Sequence, residues 1–141
     1  MKKSCDFHCW VIKYDRICIQ GKMYQKDSLK SCDGIVVPLC WNHEHDDPCW
    51  VLGQALLENR EEGVYGYFKL YDTQCKGMID QMVQHIGTVS TSPSVHQAEI
   101  QGDRIVKGVI REVSLTSARV DPDSCYYPII NKKEKDNADK E

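Results

Sequence analysis

The feature that most restricts what this 141-residue chain can become is its period. Most of its periodic signal is strand-like, and one stretch repeats at helix spacing. Phe7 to Tyr14 and Ile17 to Tyr24 partly alternate between Asp-Arg and Lys-Asp turns, which predicts an opening antiparallel pair. Ile35 to Trp41 is an apolar run after the turn signal Asp33-Gly34. Pro38 inside it predicts an edge or a bulge, because proline cannot donate to a ladder. Trp50 to Leu57 and Val64 to Tyr71 read as a hairpin across the charged link Glu58 to Gly63. Thr88 to Ile100 and Arg104 to Leu115 flank a Gln101-Gly102-Asp103 turn.

The exception is Cys75 to Ile86, where Ile79, Met82, Val83 and Ile86 fall at i, i+3, i+4 and i+7. Asp72 or Thr73 can cap that helix and Gly87 can close it. Strands interrupted by a single helix exclude a doubly wound α/β fold. They predict a mainly β, α+β domain over residues 1–130, with an antiparallel barrel-like core carrying one or a few helices. From Asn131 to Glu141 the chain is charged and has nothing to bury, so a disordered tail is expected.

A formal charge of −3 provides no basic field for phosphate or anionic lipid, so neither nucleic acid nor membrane is an expected partner. No run approaches the length of a spanning helix, and no apolar stretch follows Lys2 and Lys3 as a signal peptide requires. The expected location is the cytoplasm where the chain is made. Eight cysteines at irregular positions then read as free, buried thiols rather than a disulfide framework. Trp10, Trp41 and Trp50 are expected to pack the barrel, with Trp41 walling a site at His43. His8, His85 and His96 are read as strand-face or helix-end residues without a chemical role.

Chemistry enters with His43, which closes the run Val37-Pro38-Leu39-Cys40-Trp41-Asn42-His43, where a strand can fix the backbone of a general base. Two later segments, Gly87 to Ser92 and Ile110 to Leu115, add serines and the carboxylate Glu112. A nucleophile, a base and a carboxylate are what serine hydrolysis needs. A hydroxyl is a poor nucleophile unless a correctly oriented imidazole takes its proton. Serines on a polar strand and a strand carboxylate are equally what a solvated face contains, and spacing does not separate the two. A metal-binding alternative rests on Cys40, His43, His45 and Cys49, four residues of zinc-ligating type whose Cys-x2-His-x-His-x3-Cys spacing matches no common finger.

Taken in order over residues 10 to 120, five pieces resemble the tailed-phage prohead protease family. They are Val37 to His43, Gly53, Gly63-Val64-Tyr65, Thr88-Val89-Ser90 and Glu112-Val113-Ser114-Leu115. That family is itself similar in fold to the herpesvirus capsid assembly proteases. The resemblance implies His43 as base, Ser90 as nucleophile and Glu112 as third member of the triad, with Arg119 near the oxyanion. It gives Ser114 a structural role. Ser90 is followed by Thr91, Ser92 and Pro93 where the family carries a branched or aromatic pair, which makes Ser92 an alternative nucleophile. No metal or cofactor is implied. The implied partners are the phage major capsid protein, its scaffold segment, the portal and a second copy of the chain. The implied setting is the procapsid, in the cytoplasm of an infected or lysogenic bacterial host. A catalytically inactive assembly module of the same fold is the alternative expectation.

Overall fold

The computed structural model describes residues 2–17, 21–41, 51–71, 77, 81, 90–116 and 130–131. Of these, 67% lie in strands, which makes the fold mainly β, as the alternation predicts. The strands are β1 (Phe7–Lys13), β2 (Met23–Tyr24), β3 (Val36–Trp41), β4 (Val51–Arg60), β5 (Gly63–Leu70), β6 (Ser90–Gln101), β7 (Arg104–Thr116) and β8 (Ile130–Asn131). They form one sheet in the order β2-β7-β3-β4-β5-β1-β8, with β6 added on β7. β2 and β3 run parallel to β7, and the other pairs are antiparallel.

The sheet curls into a half-barrel because one face of each long strand is apolar and must leave water. Phe7, Cys9 and Val11 of β1, Leu39 of β3, Ala55 and Leu57 of β4, and Val64 and Phe68 of β5 meet Ile110, Val113 and Leu115 of β7 in one core. Phe7 and Phe68 stack at its centre, 5.0 Å apart and inclined by 15°. Gly66, between Val64 and Phe68, gives these rings room: a Cβ there would lie 2.7 Å from the Phe68 ring and 2.9 Å from Val11 Cγ2. At the curl, β6 comes back to β1. The Thr91 hydroxyl, fully buried, donates to the Trp10 carbonyl at 2.9 Å.

One irregularity decides what the last strand presents. Ser94 pairs with Glu112 but the next residue, Val95, pairs with Ile110, leaving Arg111 as an extra residue in β7. In a regular strand Ile110 and Glu112 would share the core face. The bulge reverses the alternation, so Val113 and Leu115 point inward with Ile110 while Glu112 points away.

Several expectations need correction. Phe7–Lys13 does not pair with the following segment; its partners are β5 and β8. Of Ile17 to Tyr24, the described part contributes the two-residue β2 beside β7 and an isolated Ile17–Met23 bridge. Burial of Phe7, Cys9 and Val11 against β5 favours the distant partner over the local hairpin. Asn131, placed in the tail, pairs with Phe7. Trp10 stands half-buried outside the barrel, edge-on to Tyr65 at 5.0 Å with Arg60 and Lys13 over its ring, because β1 alternates and position 10 faces out.

The hairpin is tighter than its charged link suggests, with Arg60 paired to Gly63 across Glu61-Glu62. Pro38 pairs with Gln54 in an interior strand, in place of the expected edge, and an irregularity follows just beyond it. Pairing of β3 with β7 starts only at Leu39, and the β3–β4 register shifts between Leu39 and Cys40. Cys5, Cys9, Cys32 and Cys40 are buried free thiols. Trp41 packs half-buried against the core, and Trp50 lies outside the described residues. Of the expected helix, Gly77 and Gln81 are described, both with helical backbone. Among the described residues no helix is long and apolar enough to cross a membrane.

Thr91→Val keeps the shape of the side chain and strips the Trp10 carbonyl of its donor. It should cost about 1–3 kcal/mol, measured as a lower urea midpoint at unchanged slope.

Candidate functional site

Residues 112–116 of β7 are buried without a break, the pattern of a strand covered on both faces. Val113 and Leu115 fill the core, so Glu112, Ser114 and Thr116 line the opposite face. Residues paired directly across a sheet share a face, and the register therefore fixes their company. On β6, Ser94 stands opposite Glu112, Ser92 opposite Ser114, and Ser90 opposite Thr116. On the other edge, Cys40 of β3 stands opposite Ser114. Three strands thus contribute one polar row on the side of the sheet opposite the core.

The row is not solvated where it matters. Glu112 is 3% exposed, Ser114 and Cys40 are fully buried, and Thr116 is 5% exposed. A buried carboxyl costs several kcal/mol unless hydrogen bonds replace its water, on the order of 2–7 kcal/mol for polar groups generally. The Ser114 hydroxyl donates to Glu112 Oε2 through a long contact of 3.5 Å. The Cys40 thiol shares a hydrogen bond with the same carboxyl. Burial first, and then the Glu112 carboxylate, push that thiol up to about 12. Ser94 is differently occupied, its Oγ lying 3.1 Å from Nε2 of the exposed His96. At the barrel seam, burial also raises Cys9 to about 12, against a smaller lowering by its hydrogen bond to Thr91.

Among the expected site residues, the structure brings Ser92 and Glu112 together on one face, one register step apart. Such diagonal neighbours lie roughly 7–8 Å apart, with their Cβ atoms somewhat closer, a gap of the size one imidazole can bridge. Ser90 is a further step away, four residues of strand or about 13 Å along β7 from the Glu112 level. His43 and Arg119 lie outside the described residues, as do His45 and Cys49. Among the described residues no group of three or more His, Cys, Asp or Glu could hold a metal ion.

The sequence reads Cys40 as a buried thiol or a zinc ligand and Ser114 as structural, and gives neither a place beside Glu112. The signal that could have found them is a polar row at spacing two, Ser90-Ser92-Ser94 and Glu112-Ser114-Thr116, running beside an apolar row at the same spacing.

With this geometry in hand, comparison with protein families, with curated proteins and with solved structures gave no match.

The buried thiols have a consequence for pH. A thiol whose folded value is raised from 9.0 to about 12 contributes stability that is full below pH 9 and lost as the pH climbs through that window. Unfolding free energy measured from pH 9 to 12 should therefore fall, and fall less steeply in Cys9→Ala than in wild type.

Proposed function

We propose that the protein is a serine endopeptidase of phage capsid assembly, in which His43, Glu112 and a serine of β6 form the triad. The observation that carries this is the register of β6 on β7, which lines up serines and one buried carboxyl on a single face. β3 supports it further. Its last residue, Trp41, pairs with Leu115 beside that face; His43 is the second residue after it, and two peptide units span at most about 7 Å.

In this mechanism the serine Oγ attacks the scissile carbonyl while His43 takes its proton, and His43 then returns the proton to the leaving amine. Water hydrolyses the acyl-enzyme through the same base. Glu112 holds the imidazole in the tautomer that leaves the accepting nitrogen free, and Arg119 offsets charge developing on the carbonyl oxygen. Of the two serines, the register favours Ser92 over Ser90, because only Ser92 is within one side chain's bridging distance of Glu112. The substrates are scaffold and capsid-precursor segments and the enzyme itself. The partners are the major capsid protein, the portal and a second copy, and the working location is the procapsid within the host cytoplasm.

The test is to incubate concentrated protein with a fluorophosphonate probe and follow intact mass and labelling. Wild type and Ser90→Ala should label and self-cleave at rates within a few-fold of each other. His43→Ala and Ser92→Ala should lose roughly 10³-fold or more. Equal labelling of wild type and His43→Ala, or loss in Ser90→Ala with full activity in Ser92→Ala, would remove the corresponding part of the proposal. An intact, unreactive wild type would instead favour the inactive assembly module.

A further inference from the structure

The outer face of β7 holds more polar groups than a triad consumes. Glu112 could have met the cost of burial by facing solvent, yet the Arg111 bulge turns it into a closed layer between β3 and β6. Two donors address it there from different strands. Ser114 is its i+2 neighbour on the same face of β7, with Oγ 3.5 Å from Oε2. Cys40 sits opposite Ser114 across the parallel β3–β7 pair, at the point where the β3–β4 register shifts. Both are fully buried, so water does not compete for their hydrogens.

We infer that Cys40 and Ser114 are positioning residues: the Cys40 S–H and the Ser114 O–H donate to the Glu112 carboxyl from two strands and fix its orientation on the outer face. That this orientation serves catalysis rests on the peptidase proposal; the hydrogen bonds do not. A carboxyl gripped from two strands cannot rotate with either strand alone, so its free lone pairs keep one direction. Thiol chemistry fits the task. Burial and the neighbouring carboxyl keep Cys40 protonated far above neutral pH, so it remains a donor rather than a nucleophile. It would also resist oxidation and alkylation while the sheet is closed.

Infrared difference spectra of the full chain, wild type minus Cys40→Ser, isolate the S–H stretch of Cys40. The band should sit low, as for a thiol donating to a charged acceptor, and move to higher wavenumber in Glu112→Gln. If Glu112→Gln does not fold, Glu112→Asp draws the carboxyl back by one methylene and should move the band in the same direction. A band that stays put in the folded variant overturns the inference.

The second arm is peptide hydrolysis. Cys40→Ala and Ser114→Ala should each lower kcat about 10- to 100-fold with KM unchanged, as expected when a reacting constellation loses its alignment. Cys40→Ser, which keeps a donor, should recover most of that loss. Unchanged kcat in both alanine variants overturns the positioning role even if the band moves. A wild type without peptidase activity defeats the peptidase proposal and the positioning role with it, while the band still reports separately on whether Cys40 grips Glu112.

Discussion

At Val113 to Leu115, β7 is hydrogen-bonded on both edges, by parallel β3 on one side and antiparallel β6 on the other. No other constraint in the described structure governs so much. Double pairing removes the edge that would let the strand slip, and slipping by one residue would drive Glu112 into the core and Val113 out of it. The hydrophobic core and the polar row therefore stabilise the same register from opposite faces. The Arg111 bulge makes both faces possible within one strand, since it lets Ile110 and Val113 point the same way.

That arrangement accounts for the placing of the candidate chemistry. Groups that must hold fixed relative positions are better carried by strands than by loops, because backbone ladders leave few soft dihedrals. Here the serines, the carboxyl and its two donors all belong to paired strands, and a residue of the apolar core adjoins Glu112, Ser114 and Cys40 along the chain. Thr91, Val113 and Leu115 face inward while their neighbours face out, so the same pleat that buries the core presents the row.

The parts of this architecture that were legible in the sequence are the local ones. Partial alternation marked β1, an apolar run after Asp33-Gly34 marked β3, a charged link marked the β4–β5 hairpin, and Gly102 marked the turn from β6 to β7, where its φ of 64° suits glycine. What could not be read depends on which distant strands meet. β1 chose β5 over its sequence neighbour, and β3 reached β7 across more than sixty residues by burying Leu39 beside Val113. The site divides the same way. Glu112, Ser90 and the alternative Ser92 could be named from the sequence, but the proximity of Ser92 to Glu112, the greater separation of Ser90, and the position of Cys40 opposite Ser114 depend on register. Trp10 illustrates the converse: its type suggests the interior, yet the pleat puts it beside Tyr65 on the outside.

The curl is closed differently from the way it is built. Strands elsewhere are joined by ladders, but where β6 comes back to β1 the described link is a hydroxyl on a carbonyl, Thr91 to Trp10. The half-barrel is thus tied across its curl by side-chain contacts at Thr91. Separating β6 from β1 would therefore cost side-chain contacts at Thr91, whereas separating β1 from β5 or β6 from β7 would break a row of backbone hydrogen bonds, so the mechanical strength of the curl differs from one seam to the next.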